Sequence, residues 1–162
     1  MRNENRTWFS RGLRDGLPIA LGYLAVSFTL GIAAKNAGLS PFQAMLASLT
    51  NNASAGEFAG FTLISAGAGY LEVALMVFIA NARYLLMSCA LSQKLPQKTP
   101  LRHRLLIATD IADEIFGVSM AVPGKLNPFY TYGIIAIAAP CWATGTYLGV
   151  LMGNLLPLNI VR

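Results

Sequence analysis

One arginine and four carboxylic acids stand well inside long apolar stretches of this 162-residue sequence. The arginine is Arg83, and the acids are Glu57, Asp110, Asp113 and Glu114. A charge at the centre of a bilayer costs about 3 kcal/mol on insertion scales, so such charges are usually paired and often functional. Arg83 therefore predicts a carboxylate partner among these acids. The pair would either bind a charged substrate or fix the register of two packed helices.

Three of the acids have a spacing that matters for proton chemistry. Asp110, Asp113 and Glu114 stand at i, i+3 and i+4, which puts them on one face of a continuous helix. Like charges repel in a low dielectric, so at least one of the three is expected to hold a proton near neutral pH unless Arg83 or Lys125 compensates the charge. Such a carboxyl suits proton relay or the binding of an ammonium group. Alternatively, the segment lies near the interface with its acids in water.

The fourth acid, Glu57, follows a run of polar and small residues in the middle of an apolar segment. Transporters use broken helices of this kind to expose backbone N–H and carbonyl groups to substrate. Asn51, Asn52 and Ser54 would add side-chain hydrogen bonds. The alternative is close helix packing, because small residues such as Gly56 let helices approach one another.

The composition places these residues in a membrane. Hydrophobic residues make up 55% of the chain and charged residues 12%, and the mean hydropathy is +0.54. The stretch from Leu17 to Ala34 contains no charge and nearly reaches the ~20 residues that cross a bilayer. A cleaved signal peptide is the alternative, but the stretch is long and further apolar segments follow.

Turn-forming residues divide the chain into an amphipathic, interfacial N-terminus, residues 1–16, and a single transmembrane domain, residues 17–162. The sequence predicts an all-α integral membrane protein with about five membrane segments. They are 17–35, 42–66, 70–92, 105–122 and 129–153. Segment 42–66 is expected to be a broken or re-entrant helix because polar residues interrupt it.

Lysine and arginine placement predicts the orientation, since cytoplasmic flanks are enriched in both. The N-terminus and the loop 93–104 are basic and should both face the cytoplasm. That requires an even number of crossings between them, yet three segments precede the loop. The conflict disappears if segment 42–66 enters and leaves by the same face. Otherwise one basic cluster violates the rule.

Other features indicate packing and not chemistry. Gly145, Gly149 and Gly153 form a smooth stripe for a neighbouring helix or for a second copy of the chain. The two cysteines lack metal-site or disulfide spacing. No metal, cofactor or nucleic acid is expected, and an enzyme is disfavoured because no nucleophile and base stand at a recognisable spacing.

Several motifs, in order along nearly the whole chain, resemble the AzlC-type branched-chain amino acid permeases. They are Leu17-Pro18-Ile19, Gly38-Leu39-Ser40-Pro41, Ala53-Ser54-Ala55-Gly56-Glu57-Phe58, Asn81-Ala82-Arg83 and Asp113-Glu114-Ile115-Phe116. The sequence departs from the family's pattern at Ala112, where Thr is usual, at Tyr84, where His is frequent, and at Glu57, where Gln is usual. The resemblance also implies further helices after the position of Asn154.

The resemblance implies an exporter of valine, isoleucine and leucine in the cell inner membrane, acting with a small AzlD-type membrane subunit. In this hypothesis Arg83 binds the substrate carboxylate, with Asn81 nearby. Glu57 and residues 51–56 line the site, while Asp113, Glu114 and Asp110 contact the ammonium or carry a proton. The alternative is a scaffold subunit, or a fragment, whose buried charges are structural.

Overall fold

The structure, a computed structural model, describes residues 2–153. This part of the chain folds into helices and connecting turns without a strand, which confirms the predicted all-α class. Its eight helices are α1 (Arg2–Asn36), α2 (Pro41–Asn51), α3 (Ser54–Ser65), α4 (Tyr70–Asn81), α5 (Arg83–Lys94), α6 (Leu101–Ala108), α7 (Asp113–Ala121) and α8 (Pro128–Met152). Residues 154–162, where the predicted transmembrane domain ends, lie outside the described residues.

Within the described residues, three helical stretches are long and apolar enough to cross a membrane: Asn3–Asn36, Tyr70–Lys94 and Pro128–Met152. They correspond to the first, third and fifth predicted segments. The predicted interfacial N-terminus continues into the first span as one helix. Only Ala82 separates α4 from α5, and it keeps helical backbone angles (φ −56°, ψ −29°), so the two act as one span.

The second predicted segment is broken, as expected. Its first half, α2, starts at Pro41 with a capping box: the Ser40 hydroxyl accepts from the N–H of Gln43, and the Gln43 side chain accepts from the N–H of Ser40. The helix stops at Asn52, which adopts a left-handed conformation (φ 44°, ψ 41°). Asparagine tolerates this conformation better than most residues because its short side chain can hydrogen-bond locally.

The fourth predicted segment, 105–122, is not the continuous helix that the sequence predicted. Helix α6 ends at Ala108, α7 starts at Asp113, and Ala112 between them is extended (φ −115°, ψ 166°). The expected single face shared by Asp110, Asp113 and Glu114 is therefore wrong. Aspartate competes with helical hydrogen bonds and favours helix ends, and three like charges on one face would repel. The break places Asp110 in the turn between the two helices.

The described residues divide into two compact units. The first unit contains the chain up to Gly22 and Asn81–Pro140, and the second contains Tyr23–Ala80 and the chain from Cys141 onwards. Each unit holds one broken segment, α6 and α7 in the first and α2 and α3 in the second.

In the first unit, α1 packs against the start of α8 through glycines. A Cβ atom on Gly12 would collide with the carbonyl oxygen of Tyr130, and one on Gly133 would collide with the carbonyl oxygen of Phe9. The Tyr130 hydroxyl donates to Oδ2 of Asp15 at 2.8 Å. These contacts fix the distance between the two helices at backbone contact.

In the second unit, the same two helices meet again through the predicted glycine stripe. A Cβ on Gly149 would collide with the carbonyl oxygen of Phe28, and one on Gly145 with the hydroxyl of Ser27. Gly153 faces the Ile32 side chain. The stripe thus serves a neighbouring helix of the same chain. Self-association through it stays a prediction that no observation tests.

Candidate functional site

The polar cluster of the second unit forms around the break between α2 and α3. Asn52 donates its backbone N–H to the carbonyl oxygen of Ser48 at 2.9 Å, which closes α2. Ala53 is extended (φ −145°, ψ 109°) and has no side-chain cap to offer the first N–H groups of α3. The chain therefore turns sharply, and the first turn of α3 carries Glu57 back towards α2.

The Glu57 side chain is buried, with 2% of the residue exposed. Its Oε1 accepts a hydrogen bond from Nε1 of Trp142 at 2.6 Å, and its Oε2 accepts one from the Ser48 hydroxyl at 2.7 Å. The Tyr23 ring packs edge-on against Trp142, with centroids 5.0 Å apart. Both carboxylate oxygens are occupied, so this acid ties α2, α3 and α8 together at one point.

The protonation state of Glu57 determines which hydroxyl groups of this cluster donate and which accept. Ser48 has one hydroxyl proton, and it is used towards Glu57 when that acid is ionised. The contact of 2.6 Å between the Ser48 and Thr146 hydroxyls then requires Thr146 to donate. If Glu57 is protonated, the direction of these hydrogen bonds can reverse. Glu57 then donates to Ser48, Ser48 donates to Thr146, and Thr146 donates to the carbonyl oxygen of Trp142 at 3.3 Å. The cluster can therefore accommodate either protonation state without an unpaired donor.

The charged cluster of the first unit joins α5 to α7. Nη2 of Arg83 lies 2.9 Å from Oδ2 of Asp113, so Asp113 is the predicted carboxylate partner. Each residue is the first of its helix, and α5 and α7 are in contact. The Arg83 side chain is 46% exposed and that of Asp113 is 47% exposed. This ion pair is open on one side, although Arg83 stands near the centre of the apolar span Tyr70–Lys94.

The aromatic neighbour of Arg83 orients its guanidinium. The Cζ atom of Arg83 lies 5.1 Å from the ring centroid of Tyr84, and Nη2 donates to the Tyr84 hydroxyl at 3.3 Å. Within the described part of the chain, the contacts to Asp113 and Tyr84 both use Nη2. A guanidinium can also bind a second carboxylate with two parallel hydrogen bonds through Nε and Nη1.

The remaining predicted residues lie at helix ends. Asn81 is the last residue of α4, two positions before Arg83, and Glu114 follows Asp113 on the exposed side of the first turn of α7. Asp110 lies in the turn between α6 and α7, and its Oδ2 atom is buried without a hydrogen-bond partner among the described residues. Asn51 ends α2, and Ser54 starts α3 on an exposed face.

Sequence reasoning missed three residues that bind or support Glu57. Ser48, Trp142 and Thr146 are polar groups within apolar segments, and each needs a partner when it is buried. That requirement was the available signal. It did not identify the partners, because Trp142 and Thr146 lie some ninety positions from Glu57 and Ser48.

Comparisons with known proteins agree with the motifs. The family model for the AzlC protein matches residues 18–156. An uncharacterized membrane protein of Archaeoglobus fulgidus is 36% identical over 151 residues, which cover 93% of this chain and 65% of that protein. The inner membrane protein YgaZ of Escherichia coli is 28% identical over 150 residues, which cover 90% of this chain and 61% of YgaZ.

The chain thus spans less than two thirds of the length of these relatives. No solved structure matches it. The family match includes both polar clusters described above, from the break after α2 to the end of α8. Together with the three apolar spans, these matches identify a membrane protein, and the chain belongs to the AzlC family.

Proposed function

We propose that this chain is a permease that exports branched-chain amino acids such as valine, isoleucine and leucine. The observation that carries the proposal is the half-exposed ion pair of Arg83 and Asp113 near the centre of an apolar span. A purely structural ion pair in a membrane is expected to be enclosed by protein, because exposure of charge to lipid is costly. An open pair suits a water-filled path.

The chemistry of the pair matches a zwitterion. The Arg83 guanidinium would bind the substrate carboxylate through Nε and Nη1. Asp113 and Glu114, in the first turn of α7, would contact the substrate ammonium. Substrate would thereby add two charge pairs beside the internal ion pair without changing the net charge of the site, because a zwitterion is neutral.

Two predicted groups have supporting roles in this proposal. Asp110 would carry the coupled proton, since one of its oxygens is buried without a described hydrogen-bond partner. Asn51, Asn52 and Ser54 would line the path at the break between α2 and α3. Glu57 would line it only after releasing Trp142 or Ser48, because both carboxylate oxygens are already bonded.

The chain would work in the cell inner membrane with an AzlD-type small membrane subunit. The name of YgaZ supports that location, and the family resemblance supports the subunit. The N-terminus and the loop 93–104 would face the cytoplasm because both are basic.

The test is uptake of labelled leucine into inside-out vesicles that contain the chain together with an AzlD-type subunit, under an imposed proton gradient. We expect Arg83→Ala to abolish uptake and Arg83→Lys to restore it only in part, because lysine keeps the charge but not the planar fork. Arg14→Ala, at an exposed arginine of α1, is the matched control and should transport like the unchanged chain. Full uptake by Arg83→Ala at normal protein levels would contradict the proposal.

A scaffold subunit is the second candidate. The closed cluster around Glu57 favours it, because every carboxylate oxygen there is satisfied within the chain. If vesicles with folded protein show no uptake of any branched-chain amino acid, with or without the subunit, the scaffold becomes the better description.

A further inference from the structure

Two stretches of the sequence repeat each other at a constant separation of 59 residues. Identical residues recur in the region that leads into each helix break. The pairs are Lys35 and Lys94, Pro41 and Pro100, Leu46 and Leu105, Thr50 and Thr109, and Ala53 and Ala112. Similar residues fill three further pairs, namely Ser40 and Thr99, Phe42 and Leu101, and Asn51 and Asp110. The identities are few, but the alignment needs no gap.

The backbone conformations at the repeated positions agree as well. Ala53 and Ala112 are both extended residues that precede a helix, with no side-chain cap. Each carbonyl oxygen accepts a backbone hydrogen bond of 2.8 Å from the residue four positions later, Glu57 or Phe116. The two copies therefore share an order of elements: a long helix, a short loop, a half-length helix, a break and a second half-length helix.

In the second unit, the two halves of the broken segment start and end at the same place. Asn36 at the end of α1 and Ala66 at the end of α3 line one cavity of about 320 Å³. Gln43 in the first turn of α2 and Ile64 near the end of α3 line another. Since α2 starts where α3 ends, α2 and α3 form a hairpin, as the re-entrant alternative requires.

In the first unit, the other broken segment folds back in the same way. At the end of α7, the Lys94 ammonium donates to the carbonyl oxygen of Met120 at 2.6 Å, and Leu126 donates its N–H to the carbonyl oxygen of Lys94 at 3.0 Å. At the start of α6, Nη1 of Arg104 donates to the carbonyl oxygen of Ser92 at 2.8 Å. Both ends of this hairpin therefore lie at the last turn of α5.

The lengths of the hairpin arms fit half of a membrane. With a rise of about 1.5 Å per residue, arms of 8–12 residues are about 12–18 Å long. The hydrocarbon core is about 30 Å thick. An arm that starts at one face thus ends near the middle, where non-helical backbone is tolerated only inside protein or beside a water-filled cavity.

We infer that residues 17–66 and 76–125 are two copies of one repeat that insert into the membrane in opposite orientations. Each copy is a spanning helix followed by a re-entrant hairpin. A re-entrant hairpin does not cross the membrane, so the span Tyr70–Lys94 makes the one crossing between the two hairpins. The hairpins therefore enter from opposite faces. The inference concerns topology and does not depend on the substrate proposed above.

The charge distribution supports this topology. The hydrogen bond of 3.0 Å from Asn127 to Asn5 places the N-terminal end of α1 beside the turn before α8, at the base of the α6–α7 hairpin. The basic N-terminus and the basic loop 93–104 then share one face, as the distribution of lysine and arginine requires. The loops of the α2–α3 hairpin carry few basic residues. The conflict over the number of crossings disappears.

The test is side-specific labelling of single cysteines with a membrane-impermeant maleimide. Cys89 and Cys141 are first replaced by serine in the full chain. Cysteine is then placed at exposed positions Glu4, Asn36, Ala66, Gln97 and Lys125, one at a time. Intact cells and inside-out vesicles are compared, and labelling in detergent shows that each thiol is reactive. Ser65 and Lys98 replace any position that stays unreactive in detergent.

We expect Asn36→Cys and Ala66→Cys to label from one side, and Glu4→Cys and Gln97→Cys from the other. If segment 42–66 spanned the membrane, Ala66→Cys would change sides to join Glu4→Cys, and Gln97→Cys would join Asn36→Cys. If segment 105–122 spanned it, Lys125→Cys, at an exposed position after α7, would label from the side of Asn36→Cys instead of the side of Glu4→Cys. Any of these changes of side overturns the inference. Because no transport is measured, failure of the proposed function would leave this result unaffected.

Discussion

The two polar clusters solve the problem of charge in a membrane in opposite ways. In the second unit, Glu57 is buried and both of its oxygens accept hydrogen bonds from neutral donors. In the first unit, Arg83 and Asp113 pair with one another, and about half of each side chain is exposed. One cluster is closed and satisfied, whereas the other is open and able to exchange partners.

The difference separates stability from function. Removing one member of a closed cluster leaves buried donors or acceptors without partners, which costs the full desolvation penalty. Removing one member of an exposed ion pair costs little, because water and ions replace it. We therefore expect changes around Glu57 to affect folding, and changes around Arg83 to affect transport.

The largest effect on stability is expected for Glu57→Ala. It would leave the Trp142 indole N–H without its acceptor, at about 1–3 kcal/mol, and would open a cavity where the Glu57 side chain is buried. The fraction of chain that remains monodisperse in detergent after heating measures this loss. Glu72→Ala, at an exposed acid of α4, is the matched control and should be almost neutral.

The isosteric change Glu57→Gln distinguishes hydrogen bonding from charge. Its amide oxygen can accept from Trp142, and its NH₂ group can donate to Ser48 if that hydroxyl turns towards Thr146. We expect near-normal stability, because both hydrogen bonds of the side chain are kept. A loss as large as that of Glu57→Ala would show that the negative charge itself is required, and the description of a cluster held by neutral donors would be wrong.

An intermediate effect is expected for Trp142→Phe. The ring contact with Tyr23 is kept, but Oε1 of Glu57 loses its donor, which costs about 1–3 kcal/mol. The same heating measurement applies. Tyr84→Phe in the open cluster removes a single exposed hydrogen bond and is the comparison variant. Equal losses for the two variants would remove the contrast between the clusters.

The smallest effect on stability is expected for the ion pair itself. A double-mutant cycle with Arg83→Ala and Asp113→Ala should give a coupling energy of about 0–1 kcal/mol, which falls as salt concentration rises. Heating in detergent at low and high salt measures it. A coupling above about 3 kcal/mol that is insensitive to salt would show an enclosed structural pair, and the proposed role of Arg83 in substrate binding would lose its basis.

Much of the fold followed from local patterns. Apolar length predicted the three spans, and Pro41 and Ser40 marked the start of α2 because capping and proline geometry are local. The second helix break, at residues 109–112, was missed because the periodicity of the acids suggested a helix. Periodicity shows which residues would share a face if a helix formed. It does not include the free-energy cost of placing three carboxylates close together in a low dielectric.

The candidate site was predicted in part. Arg83 was predicted to pair with one of four acids because charges in lipid require pairing. The sequence could not choose Asp113 from four acids, since that choice depends on how α5 packs against α7. The closed cluster could not be predicted either, because it also depends on how the helices pack. Ser48 and Trp142 meet Glu57 only after α8 has folded back onto the break.

The glycine contacts between α1 and α8 have a consequence for biosynthesis. Helix α1 is matched, backbone to backbone, with α8, the last of the three spans found among the described residues. About a hundred residues must be translated before α8 emerges, so the glycine face of α1 has to wait in the translocon or the lipid without its partner. A chain whose translation stops before Pro128 would lack that partner and also the tryptophan that holds Glu57. Such a product should be recognised and degraded by membrane quality control before either hairpin can act.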